Sequence, residues 1–177
     1  MEALIVVDVQ NDFCPGGALA VAGGDEIIEV VNGLASEASV VIATRDWHPP
    51  DHASFAERGG TWPEHCVRGT LGAQLHRDLD ARIDAWTVID KGLTPDREGY
   101  SGFEDTQLEQ LLREHGVGTV HVVGLALDYC VKATALAARS AGFEVVVHRG
   151  ATRAVDVEPG DGDRAVEEMR AAGVDVR

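Results

Sequence analysis

Positive charge, cysteine and long apolar runs are the scarce components of this chain. Fifteen Lys and Arg stand against thirty Asp and Glu, a formal charge of −15 over 177 residues. Such a surface opposes binding to nucleic acid or anionic lipid, because phosphates are held by cations; its expected role is solubility. Three cysteines, Cys14, Cys66 and Cys130, are an odd number and argue against a disulfide framework. A reducing cytoplasm, where a thiol stays a thiol, is the expected compartment. No apolar run approaches the roughly 18 residues that cross a bilayer. The chain enters Ala3–Val7 without a basic leader or a small-residue cleavage site, so a first strand is expected there and not a signal peptide. No repeat, low-complexity tract or linker divides the sequence, and one domain over 1–177 is expected. Neither Pro15-Gly16-Gly17 nor Gly23-Gly24 gives a G-x-G-x-x-G after the first strand, which counts against a dinucleotide-binding domain.

What the chain does contain is an alternation of short β-branched runs with longer amphipathic ones. Strands are predicted at Ala3–Val9, Val40–Arg45, Trp86–Asp90, Thr119–Leu125, Glu144–His148 and Val174–Val176. They are mostly continuous apolar runs, as expected of a parallel sheet covered on both faces. Ile27, Ile28, Val31 and Leu34 form one helical stripe, and Leu108, Leu111 and Leu112 another, with Gly116 placed to end it. Asp128 is a candidate cap for a helix running to about Ala141, ended by Gly142, and Asp163 for the last helix, which carries Val166 and Met169 inward before Gly173. The alternation implies a doubly wound α/β fold, a three-layer Rossmann-like arrangement with helices on both faces. From Trp47 to about Arg82, Pro49, Pro50, Pro63 and Gly59-Gly60 predict a long loop, and long loops in compact domains tend to be functional.

In open α/β sheets, sites form beyond the C-terminal ends of the strands. Four consecutive strands here lead to Asp8, Asp46, Lys91 and Cys130, each a reactive or ligating group. Cys130 falls at a strand-to-helix turn, where the helix dipole would favour thiolate and free N–H groups could hold an oxyanion. Read alone it is a small buried hydrophobe; with an acid and a base at neighbouring strand ends it becomes a candidate nucleophile. Cys14 has no obvious base beside it, and the adjacent His65 and Cys66 would point to opposite sides of an extended segment, so both thiols are expected to pack. Asp8 read alone is a turn or capping residue and Lys91 a surface lysine. A buried carboxylate needs a partner, however, and Lys91 can supply it. Asp46-Trp47-His48, His52 and His65 place carboxylate and imidazole donors close in sequence, the ligands that zinc, iron or manganese takes.

The segments Asp8-Val9-Gln10-Asn11-Asp12-Phe13, Arg45-Asp46-Trp47-His48-Pro49-Pro50-Asp51-His52, Trp62-Pro63-Glu64-His65-Cys66-Val67, Lys91-Gly92, Tyr100-Ser101-Gly102-Phe103 and Gly124–Val131 run in order through nearly the whole chain. Together they resemble the metal-dependent nicotinamidase/pyrazinamidase branch of the isochorismatase-like cysteine hydrolases. The resemblance implies a six-stranded, mostly parallel sheet and hydrolysis of the carboxamide of nicotinamide to nicotinate and ammonia through a cysteine thioester, with pyrazinamide as an alternative substrate. It implies Asp8, Lys91 and Cys130 as the catalytic set and the N–H groups of Ala126 and Cys130 as the oxyanion hole, with the Leu125–Ala126 peptide cis. Asp46, His48 and His65 would hold one divalent ion, zinc before iron or manganese, that orients the ring. Phe13, Trp62 and Tyr100 would line the ring pocket. His52 stays open between a fourth ligand and a supporting role. Leu127 stands where relatives usually carry threonine, and Tyr129 where some carry histidine, which leaves the preferred amide less defined than the reaction. The implied partner is a small-molecule amide, with no nucleic acid and no membrane, in a monomer or small homo-oligomer.

Two rivals remain at this stage. One is a metal-free amide or ureido hydrolase of the same superfamily, which would lack the Asp46–His48–His65 set. The other is a non-catalytic, metal-stabilised binding module with an inert Cys130.

Overall fold

In the computed structural model, residues 1–79 and 85–177 are described. Six strands, β1 (Glu2–Val7), β2 (Val41–Asp46), β3 (Thr87–Lys91), β4 (Thr119–Leu125), β5 (Glu144–Arg153) and β6 (Asp175–Val176), form one sheet in the order β3-β2-β1-β4-β5-β6. Every pairing is parallel. The helices are α1 (Ile28–Glu37), α2 (Leu108–Glu114), α3 (Lys132–Ser140) and α4 (Asp161–Ala171). Alternation along β1 divides the core in two. Ala3, Ile5 and Val7 pack with Leu108, Leu112, Ala135, Ala138, Val166 and Met169, placing α2, α3 and α4 on one face. Leu4 and Val6 pack with Ile28, Val31 and Ala35 of α1 on the other. The doubly wound reading is borne out, and the strand order reverses direction between β1 and β4, the position at which such sheets open a crevice. Among the described residues, no helix is long and apolar enough to cross a membrane.

The departures from expectation are local and have physical causes. β1 stops at Val7 because Asp8 takes a left-handed backbone, φ 49°, a conformation that aspartate tolerates better than most residues. β5 runs on to Arg153, past the predicted end at His148, across a register shift that pairs Gly124 with Thr152. Gly124 has φ 115°, and a Cβ there would lie 2.0 Å from Val7 O, so only glycine lets β4 close on β1 at this level. Asp128 does not cap a helix. The chain forms a wide π-helical turn over Leu127–Val131 that opens from Ala126, and α3 follows. Asp163 is not a cap either: α4 opens from Gly160, whose φ of 87° turns the chain in. The predicted loop begins at Trp47 and includes a short 3-10 turn at Ala56–Arg58. Its predicted end, Arg82, lies outside the described residues.

Candidate active site and metal centre

All four strand-end residues converge on one buried knot, with Lys91 at its centre. Lys91 Nζ lies 2.8 Å from Asp8 Oδ2, 2.6 Å from Asp46 Oδ1, 3.1 Å from Gly99 O and 3.4 Å from Cys130 Sγ. One carboxylate oxygen of Asp8, one of Asp46 and Cys130 Sγ all lie within 4.8 Å of one another. Asp8 is wholly buried, and Asp46, Lys91 and Cys130 are no more than 5% exposed. Taking these charges out of water is costly, and their attraction offsets it only because the partners are so close.

The electrostatics follow from that arrangement. Burial would strip Lys91 of its proton, but Asp46, Asp8 and the Cys130 sulfur reverse the sign and hold the ammonium well above its ordinary value. Burial pushes the Asp8 carboxyl up, against the pull of Lys91. For Asp46 burial also acts upward, yet Lys91 and His48 outweigh it and hold the carboxylate ionised. Burial raises the Cys130 thiol well above its usual value despite Lys91. This corrects the expectation that the helix dipole would favour a resting thiolate: desolvation dominates at a fully enclosed sulfur. A thiol with a carboxylate within reach is set up for proton transfer when a substrate arrives.

Asp46, His48 and His65 offer three donor atoms within 4.8 Å of one another. His48 Nδ1 contacts Gly92 O at 2.9 Å and His65 Nδ1 contacts Pro63 O at 2.8 Å. A backbone carbonyl at Nδ1 fixes each tautomer and leaves Nε2 with a lone pair for an ion. His48 Nε2 sits 3.5 Å from Asp46 Oδ2. Burial lowers the His65 imidazole, keeping it in the neutral form that binds metal. The donor set therefore fits a divalent ion of the borderline class. Gly92 completes the fit, since a Cβ there would lie 2.4 Å from His48 Cε1. His52 falls outside this group. It stacks on His48 with ring centroids 3.8 Å apart, contacts Ser54 Oγ through Nδ1 at 2.7 Å, and leaves a buried Nε2 without a hydrogen-bond partner.

A narrow cavity of about 40 Å³ joins the two sets, lined by Phe13, Leu19, Val21, Asp46, Trp62, His65, Tyr100, Ala126, Tyr129, Cys130 and Val155. Trp62 Nε1 donates to Tyr100 Oη at 3.0 Å, and the Tyr129 ring packs edge-on against Trp62 at 5.0 Å. Leu127, by contrast, is buried in the core cluster and absent from the lining. The Leu125–Ala126 peptide is cis. Cys14 and Cys66 are buried, free thiols outside the cavity lining.

Reasoning from sequence missed the residues that hold this knot in place. Thr44 Oγ1 donates to Asp8 Oδ1 at 2.7 Å. Gln10 clamps the main chain of Asp46, donating from Nε2 to its carbonyl at 2.9 Å and accepting its N–H on Oε1 at 2.8 Å. Asp12 Oδ2 accepts the Cys66 N–H at 2.7 Å, steadying the segment that carries His65. Gln10 and Asp12 stand inside a motif quoted for the resemblance, but nothing in the order of residues assigns them these contacts.

A fold that opens at β1/β4, with a thiol, carboxylate and ammonium joined to a three-donor metal set, matches a known class. The Isochorismatase domain model matches residues 2–177, and the chain belongs to that family. It is 42% identical over 197 residues to a nicotinamidase of Escherichia coli, covering 97% of this chain and 92% of that one. The solved pyrazinamidase of Pyrococcus horikoshii in complex with zinc superposes with a TM-score of 0.92 at 48% identity, covering 99% of this chain and 98% of that one. PnC1 from L. infantum in complex with nicotinate gives a TM-score of 0.94 at 39% identity, covering 100% and 92%.

Proposed function

We propose that this protein is a metal-dependent nicotinamidase that also accepts pyrazinamide, with Cys130 as nucleophile, Asp8 as general base and then acid, and Lys91 holding the charge of the pair. The observation that carries the reading is the single cavity in which Cys130 shares a wall with Asp46 and His65. A carboxamide carbon at the sulfur then leaves the ring's far side toward the metal set.

The chemistry follows from the residues. Asp8 Oδ2 lies 2.8 Å from Lys91 Nζ, and a carboxylate oxygen that accepts from the ammonium keeps a second lone pair for the Cys130 proton. The thiolate attacks the carboxamide carbon, and the N–H groups of Ala126 and Cys130 are assigned to the oxyanion. Thr44 and Lys91 keep the Asp8 carboxyl from turning as it gains a proton. Asp8 returns that proton to the departing ammonia. It then takes one from the water that cleaves the thioester, and the thiol is restored. Asp46, His48 and His65 would hold the ion, with zinc the proposed metal; when bound it supplies a Lewis-acid contact for the ring nitrogen. Phe13, Trp62 and Tyr100 would confine the ring.

Ammonia release measured over nicotinamide, pyrazinamide and unrelated aliphatic amides, before and after chelation, tests the assignment. Activity on the two ring amides that falls with the metal is the expected result; equal turnover of aliphatic amides would overturn it.

A further inference from the structure

We propose that Asp128 is a positioning residue that ties the nucleophile's turn to one wall of the ring cavity and so governs which amides enter; the proposal rests on the amidase reading above. Asp128 stands two residues before Cys130 in the turn Leu127–Val131 and is buried, 6% exposed. Its carboxylate does not serve its own helix. Oδ1 accepts the N–H of Val155 and Oδ2 the N–H of Asp156, each at 2.9 Å. Two charge-assisted bonds to consecutive peptides fix rotation as well as distance.

What those bonds hold matters for the site. Val155 lines the cavity together with Cys130. Asp156 has a left-handed backbone, φ 51°, and its Oδ1 accepts the Gly162 N–H at 2.8 Å in the first turn of α4. The segment after β5 is thus anchored to α4 at one end and to the Cys130 turn at the other. Slack in the Asp128 link would let the Val155 wall retreat and the sulfur's turn move with it. Asparagine at 128 keeps the size but sets an amide NH₂ against one of two N–H donors, so the segment must withdraw or leave a buried donor unpaired.

The test uses the full chain loaded with zinc, as wild type, Asp128→Asn and Val155→Ala. Turnover is measured on nicotinamide and on the bulkier quinoline-3-carboxamide, together with the rate of Cys130 alkylation by iodoacetamide below the melting temperature. Asp128→Asn is expected to lower kcat/KM on nicotinamide on the order of 10- to 100-fold, the scale of small displacements in a positioned site. The ratio of bulky to small substrate should rise by about tenfold, and the alkylation rate should change several-fold. Val155→Ala should raise the ratio and leave alkylation at the wild-type rate. An Asp128→Asn protein that melts earlier but keeps both the ratio and the alkylation rate would reduce Asp128 to a structural tie and overturn the proposal. If that variant does not fold, Asp128→Glu is judged by the same two readouts. Wild-type protein inert toward both amides would defeat the amidase reading separately, and alkylation would still decide whether Asp128 holds the turn.

Discussion

The two ends of the sheet make opposite use of polar groups. At the C-terminal end, Asp8, Asp46, Lys91 and Cys130 crowd together, and Asp46 and Cys130 line a cavity of about 40 Å³. At the N-terminal end lies a far larger cavity of about 460 Å³, lined by residues of β1 and the end of α1 with His121 and His148. Its acids are poorly fixed: Glu2 faces His121 Nε2 at 3.3 Å with a side chain 70% exposed. His121 Nδ1 and His148 Nε2 are 2.8 Å apart, and the ring centres are 5.1 Å apart at 25°. Those values place the facing nitrogens on the line between the ring centres. That edge-to-edge approach fits a ring N–H of one imidazole donating to the other, and not a pair of lone pairs converging on an ion. Volume therefore does not mark the site. Buried charge that is held in place by other buried charge does.

The largest expected effect tests the C-terminal end directly. Cys130→Ala should reduce ammonia release from nicotinamide on the order of a thousandfold or more, with the circular dichroism spectrum unchanged. A variant with full activity would move the chemistry elsewhere. Next comes the cation at the centre. Lys91→Met leaves the Asp8 and Asp46 carboxyls buried and facing each other, and should cost about 3–5 kcal/mol of stability in urea unfolding as well as turnover. Wild-type stability in that variant would show that the knot is not held by its central charge. A smaller loss is expected for Asp46→Ala. Lys91 keeps Asp8 as a partner while the metal set loses its carboxylate, so bound zinc, read by elemental analysis, should fall more steeply than the unfolding midpoint. Retention of a full equivalent of zinc would remove Asp46 from the ligand set.

How much of this was legible in the chain depends on the range of the interaction. Strand positions follow from local apolar runs, and Asp8, Asp46, Lys91 and Cys130 could be placed because each ends such a run. Their mutual distances come from strand order, and a β1–β4 neighbour relation spans more than a hundred residues. The contacts of Thr44 with Asp8 and Gln10 with Asp46 each cross 36 residues, so no local pattern announces them. The proposed metal and catalytic groups also read as two separate sets, whereas Lys91 bridges them through Asp46 at 2.6 Å. Asp128 shows the same limit. An acid near a helix start reads as a cap, and only the fold brings Val155 and Asp156 close enough to take the carboxylate instead.

The smallest expected effect belongs to the N-terminal end, and it sharpens the contrast most. Burial, with His121 and Arg177, holds the His148 imidazole below its ordinary value, while Asp175 opposes them. The folded protein therefore binds this proton less readily than the unfolded chain does. The resulting stability is present in full above the unfolded value of about 6.5 and drains away as pH falls through the depressed folded value. His52, pushed down to about 4, and His65 act in the same sense. His48, whose burial is outweighed by Asp46, is raised and acts against them, so the wild-type slope is a sum over several imidazoles. His148→Gln should remove only its own part: a modestly shallower fall of melting temperature between neutral and mildly acidic pH, since the ring is partly open to solvent. Turnover of nicotinamide at neutral pH should stay within about twofold of wild type, the range of surface changes remote from a site. An unchanged slope would mean that protonating His148 carries no cost in the folded state. Turnover that collapses would join the two ends of the sheet, and the separation drawn from buried charge would not survive it.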